Sequence, residues 1–250
     1  MQPHIQLGPL TVQTFGICFA AGFVAAGLIS ARRLRELGKP GDWAYEMVFA
    51  SLVGGIVGAR LDYLVQNWHK VSHDLLGNLF SGSGLVWYGG ALGGALGVLL
   101  WAARRGWLGL QMLDTAALPL ALGYAIGRVG CQVSGDGDYG IHSGLPWAMP
   151  YPHGTVSTSD HVHPTPVYES LAMGLVTLLL WRLRDRFRPG VLFSLYLLLS
   201  GTERVLIEFI RRNSDVVAGL TLPQLISLGL MAVGAAMFVS LSGERRTVAA

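Results

Sequence analysis

Apolar residues fall in seven long stretches broken by short polar segments. They predict seven helices at about 10–31, 44–66, 84–103, 112–131, 166–184, 190–210 and 221–241. A helix of roughly 20 apolar residues is long enough to cross the hydrocarbon core of a bilayer. Lys39-Pro40-Gly41 and Arg188-Pro189-Gly190 supply turn signals between stretches. The pattern predicts an all-α, polytopic integral membrane protein with seven transmembrane helices. It forms a single transmembrane domain over 1–250, and 132–165 is its one long polar loop. Gly54, Gly55 and Gly58 in the second stretch, and Gly89, Gly90, Gly93, Gly94 and Gly97 in the third, recur three and four residues apart. In lipid that spacing lets two helix backbones approach closely.

Composition agrees with the pattern. Only 13% of the 250 residues are charged and 52% are hydrophobic, and the mean hydropathy is +0.47. Soluble domains carry about 25% charged residues. The basic residues flank the apolar stretches rather than forming a patch, so no nucleic-acid partner is expected. One set of loops holds Arg32, Arg33, Arg35, Lys39, Arg104, Arg105, Arg182, Arg184, Arg186, Arg188, Arg245 and Arg246; the other holds Lys70, Arg211 and Arg212. Twelve against three places the C-terminus in the cytoplasm and the N-terminus outside, with loop 132–165 outside as well. Met1-Gln2-Pro3-His4 lacks a basic leader region, so the first helix is expected to remain as an anchor. The two cysteines, Cys18 and Cys131, do not suggest a disulfide framework.

Three arginines stand out because they lie within apolar stretches: Arg60, Arg128 and Arg204. A guanidinium in hydrocarbon costs about 3 kcal/mol on insertion scales, so it usually faces a protected polar site. Counting residues from the helix ends places all three in the outer half of the bilayer, with Tyr88 and Phe15 at similar depth. Arginine's planar fork suits phosphate, and the natural anion at that depth is an outer-leaflet phospholipid headgroup. The alternative for each arginine is snorkelling, or pairing with a local acid such as Glu208, four residues after Arg204.

The richest motif is Gly127-Arg128-Val129-Gly130-Cys131-Gln132-Val133-Ser134-Gly135-Asp136-Gly137-Asp138-Tyr139-Gly140, with closely spaced glycines and two carboxylates beside an arginine. Downstream, His163-Pro164-Thr165-Pro166-Val167-Tyr168-Glu169 opens a helix carrying a histidine, a tyrosine and an acid. Blander readings accompany each group. Cys131 suits an apolar filler, Asp138 a turn cap, and Glu169 a helix-dipole partner. His161-Val162-His163 is a weak zinc signal.

In order and spacing these pieces resemble the bacterial prolipoprotein diacylglyceryl transferases over nearly the whole chain. Gly-Ala-Arg60, the glycines around Tyr88, Gly127-Arg128-Val129-Gly130, His163-Pro164 with Tyr168-Glu169, Arg204 with Glu208, and Leu222-Pro223-Gln224-Leu225 carry the likeness. The resemblance implies transfer of a diacylglyceryl group from phosphatidylglycerol to the lipobox cysteine of a preprolipoprotein, with glycerol phosphate leaving. It implies Arg128, Arg204, Tyr88, Asp136 and Glu208 as catalytic residues. It implies Arg60, Gly127, Ser134, Asp138, Gly140, His163, Tyr168 and Glu169 as substrate-binding ones. The other implied partners are lipoprotein signal peptides and membrane lipids. No metal and no cofactor is expected. A monomer in the bacterial inner membrane, its site facing the external leaflet, completes the expectation. Cys131 and Ser134 stand where the family signature usually has asparagines, and Asp136 where it has Glu, with one extra residue before Gly140. Tyr88 replaces a frequent histidine, and Phe15 and Ser200 replace tyrosines. Tyr88, Asp136 and His163 remain alternatives for the base. A non-catalytic lipid-binding protein, a metal-dependent hydrolase and a transporter are the competing classes.

Overall fold

A computed structural model describes residues 1–71 and 86–243. Arg245, Arg246 and the start of the third apolar stretch, 84–85, lie outside the described residues. Seven long helices occupy the seven predicted stretches: α1 (Thr14–Glu36), α2 (Trp43–Gln66), α4 (Trp87–Arg104), α5 (Leu110–Ser134), α6 (Thr165–Leu183), α7 (Val191–Glu208) and α8 (Leu222–Gly243), with the single turn α3 (Trp68–Val71) after α2. Among the described residues, four helical spans, Thr14–Glu36, Trp43–Gln66, Leu110–Ser134 and Leu222–Ser242, are long and apolar enough to cross a membrane.

The described residues also form two antiparallel hairpins: β1 (His4–Leu7) with β2 (Leu10–Gln13), and β3 (Met149–Tyr151) with β4 (Thr158–Val162). Residues 10–13, predicted as the start of the first helix, therefore belong to a strand. Gly8, at φ +63°, supplies the left-handed first turn position that a two-residue hairpin needs. The first helix instead runs past 31 to Glu36, whose carboxylate pairs with Arg32 (3.5 Å) and Arg33 (3.1 Å).

The chain forms two compact units, Ser30–Met112 and Met1–Ile29 with Leu113–Ala250. In the Ser30–Met112 unit, α2 and α4 run antiparallel along a glycine seam. Ala50 faces Gly97, Gly54 faces Gly93, and Gly58 faces Gly89, and a Cβ on any of these glycines would strike the facing backbone. The same four-residue series ends in acids. Asp62 accepts the Gly89 amide N–H (2.9 Å). Glu46 accepts the Trp101 indole N–H (2.8 Å) and the Arg105 Nε–H (2.9 Å). Trp43, Trp101 and Trp107 meet edge to face or tilted beside that end, with ring centres 5.8–6.1 Å apart.

In the other unit the core gathers Ala117, Leu118, Ala121 and Ala125 of α5 with Met173 and Leu180 of α6 and Leu192 of α7. Asp114 of α5 caps α7 from outside, accepting the Gly190 (2.7 Å) and Phe193 (2.8 Å) amide N–H groups. Those are among the donors a helix start leaves unsatisfied. Gly190, at φ +93°, is the predicted turn glycine. The long loop also has a core of its own, built on Tyr139, Tyr151 and Val162, with the two tyrosine rings stacked at 4.7 Å.

Candidate functional site

The site grows from α5, α6 and α7. Helix α5 continues through the glycine-rich signature to Ser134, and the turn begins only at Gly135, at φ +59°. Ser134 is spent on that helix end, its hydroxyl donating to the Gly130 carbonyl (2.8 Å). Keeping the signature helical puts Tyr124 and Arg128 one turn apart on one face. An Arg128 terminal nitrogen then donates to the Tyr124 hydroxyl (3.1 Å), and the guanidinium lies 4.9 Å from the Tyr124 ring centre.

Glu169 is the centre of the cluster. It sits in the second turn of α6, and its side chain is 0% exposed. Its Oε1 accepts the Tyr124 hydroxyl (2.9 Å) and an Arg204 N–H (3.0 Å), and lies 3.3 Å from Arg128. Its Oε2 accepts from Arg211 (3.4 Å). Arg128 and Arg211 also both pair with Asp138. Arg204 pairs with Glu208 one turn along α7 (2.8 Å). Glu208 is itself held by Thr221 (2.8 Å) and Asn213 (2.5 Å). Three guanidiniums thus meet three carboxylates in a largely buried network. Each guanidinium carries five N–H donors, and the Nε–H groups of Arg128 and Arg204 take part in none of these contacts.

The loop fixes the two aspartates differently. Burial pushes the Asp138 carboxyl up, but the Arg128 and Arg211 charges outweigh it and hold it below the ordinary carboxylate range. Burial raises Asp136, and the neighbouring Asp138 charge adds to that against hydrogen bonds from Cys131 and the Asp138 amide. Asp136 accepts that amide N–H at 3.2 Å. Gly140 closes the loop against its own surroundings: a Cβ there would meet Thr165 Cγ2 at 2.9 Å and His163 Cβ at 3.0 Å. Gly127, by contrast, has open space where a Cβ would stand.

The structure brings Arg128, Arg204, Glu208, Asp138 and Glu169 into one network, with Asp136 beside it. His163 and Tyr168 pair with each other (Nδ1 to hydroxyl, 3.4 Å), and Tyr168 also accepts the Trp147 indole N–H (2.6 Å). Arg60 and Tyr88 belong to the Ser30–Met112 unit. Arg60 is buried there with its guanidinium 5.1 Å from the Tyr63 ring centre, and Tyr88 packs edge to face on Trp87. Ser200 donates to the Tyr196 carbonyl within its own helix (2.6 Å).

Along the sequence Arg211 reads as a loop-flanking charge, and Tyr124 and Glu203 carry no site signal by themselves. Spacing could have found two of them: Tyr124 precedes Arg128 by four residues and Arg211 follows Glu208 by three. Among the described residues, the one group of three candidate metal ligands in mutual reach is Cys131, Asp136 and Asp138, within 4.8 Å. Arg128 reaches both Cys131 Sγ (3.9 Å) and Asp138, placing a positive charge where a cation would need to sit.

Residues 2–240 match the family model described as prolipoprotein diacylglyceryl transferase. The chain is 32% identical over 244 residues to the phosphatidylglycerol–prolipoprotein diacylglyceryl transferase of Clostridium tetani, covering 95% of this chain and 97% of that protein. It is 32% identical over 241 residues to the Gloeobacter violaceus protein of the same name, covering 92% and 89%. Against the Dehalococcoides mccartyi protein of that name it is 33% identical over 244 residues, covering 93% and 90%. With the match running through every helix that builds the arginine–carboxylate network, the chain belongs to the prolipoprotein diacylglyceryl transferase family.

Proposed function

We propose that this protein transfers the diacylglyceryl group of phosphatidylglycerol to the lipobox cysteine thiol of preprolipoproteins, forming a thioether and releasing glycerol phosphate. The observation that carries the proposal is the sharing of one fully buried carboxylate, Glu169, by Arg128 and Arg204 from separate helices. Buried ion pairs stabilise little for their desolvation cost, whereas guanidiniums aimed at a phosphate stabilise the charge that builds as its ester bond breaks. Glu208, Glu169 and Asp138 hold the guanidiniums in place, and a phosphodiester engages donors these carboxylates leave over. The roles of Arg60 and Tyr88 rest on the family resemblance, as do those of Gly127, His163 and Tyr168. Seven spans, an external N-terminus, a cytoplasmic C-terminus and a monomer in the bacterial inner membrane with its site toward the external leaflet complete the reading.

The test uses the purified protein in vesicles holding labelled phosphatidylglycerol and a lipobox peptide. A peptide mass increase of one diacylglyceryl group is expected, absent when serine replaces the peptide cysteine. Arg128→Ala and Arg204→Ala should each lower the rate by about 100-fold or more, and Arg128→Lys should not restore it, because lysine lacks the planar fork. Folded wild-type protein that retains phosphatidylglycerol but transfers nothing would overturn the transferase reading in favour of a lipid-binding protein.

A further inference from the structure

Resting on the transferase reading, we infer that Glu203 takes the proton from the acceptor thiol. Glu203 lies on α7 beside Arg204, and its buried Oε1 has no hydrogen-bond partner among the described residues. The other acids of the cluster are all engaged. Asp138 holds two guanidiniums, Glu169 three, and Glu208 pairs with Arg204. Asp136 accepts a backbone N–H. Among the described residues Glu203 makes no ion pair, although it stands within the electrostatic reach of the same network. The groups that act on it are Tyr124 and Arg128 from α5, Glu169 from α6, Arg204 from its own helix and Arg211 from the segment after it.

That difference has a chemical consequence. A carboxylate gripped by two or three guanidiniums is stabilised in its charged form and is a poor proton acceptor. A buried carboxylate oxygen with no partner is costly to keep, and an incoming thiol S–H supplies the donor it lacks. The nucleophile must be a thiolate. In the step, the thiol S–H proton passes to the Glu203 carboxylate and the sulfur lone pair forms the new C–S bond to the glyceryl carbon. The C–O bond to phosphate breaks, with its electron pair passing to the phosphate oxygen. Glycerol phosphate leaves among the guanidiniums, and Glu203 returns its proton to water. The balance is one proton released per transfer.

The test compares pH–rate profiles of wild type and Glu203→Gln with labelled phosphatidylglycerol and the lipobox peptide. Glu203→Gln should lower kcat by about 100-fold near neutral pH, within the range for loss of a general base, while KM for the lipid stays within about threefold. Its rate should then climb about tenfold per pH unit toward the thiol pKa of about 8.5, where wild type is flat. Glu203→Asp should keep a flat profile at reduced rate. A selenocysteine peptide, already ionised, should restore Glu203→Gln. If Glu203→Gln does not fold, Glu203→Asp must still show a reduced kcat that the selenocysteine peptide restores. The inference is overturned by a Glu203→Gln rate within about threefold of wild type, or by a lowered rate with a flat profile. It is overturned equally if the profile change appears in Asp136→Asn instead. Wild type that transfers nothing removes the transferase reading and this inference with it; an active wild type matched by Glu203→Gln removes this inference alone.

Discussion

Two regions bury backbone and side chains by opposite means. The α2–α4 pair closes on itself through glycines at Gly54, Gly58, Gly89, Gly93 and Gly97, with acids only at the two ends of the seam. The α5–α6–α7 region brings three guanidiniums onto Glu169, Asp138 and Glu208. The first arrangement is what helix association in lipid favours, close contact between small residues. The second burdens the fold with desolvated charge that well-packed apolar residues could replace without loss. Stability alone accounts for the seam and does not account for the cluster, so the cluster is where chemistry is expected.

The sharpest way to break this contrast is at Glu169. Glu169→Gln leaves Arg128, Arg204 and Arg211 without their shared charge, and removing one partner of a buried pair typically costs about 3–5 kcal/mol. A large drop in thermal unfolding temperature in lipid nanodiscs is expected, together with loss of transfer; an unchanged melting curve would mean the network does not bear on folding. Gly58→Ala probes the seam. Its Cβ would lie 2.8 Å from Gly93 Cα and closer still to the Gly89 carbonyl, so the helices must separate, at about 1–3 kcal/mol. Here stability should fall with the site chemistry intact, as read by the residual rate per folded molecule.

Acid titration separates the loop aspartates more gently. Asp138 has a depressed pKa in the folded state, so its stabilisation is complete above the ordinary value of about 4 and is lost as pH falls through its folded value. Asp136 is raised, so its contribution is complete below about 4 and lost as pH rises through its folded value. Asp138→Asn should therefore flatten the acid limb of the unfolding profile, and Asp136→Asn should slightly stabilise the protein at neutral pH. The smallest effect is expected at Gly127→Ala. Its Cβ meets nothing within 4 Å among the described residues, and alanine favours the helix by up to about 1 kcal/mol. A loss of transfer without loss of stability there would place a ligand against that backbone.

Much of the framework was legible along the chain. The helices follow from apolar runs and from Gly190 and Pro40 breaks, which are local properties. The first hairpin was not, because Leu10-Thr11-Val12-Gln13 is apolar enough to read as the edge of a span until β1 pairs with it. In the site, Arg204 with Glu208 was readable from a four-residue spacing. The pairing of Arg211 with Asp138 joins positions 73 residues apart, and no local pattern announces it.

The sequence by itself determined where the helices lie, which small residues line the seam, and the family to which the motifs point. Each of these depends on neighbours within a turn or two, or on motif order along the chain. Only the tertiary structure decided that Glu169 is the shared anchor of three arginines, that Arg211 joins them, and that Glu203 stands among them with no ion pair to any described residue. Those facts depend on how α5, α6 and α7 are rotated about their axes and how near their faces come, and at ion-pair distances a rotation of one residue exchanges one partner for another.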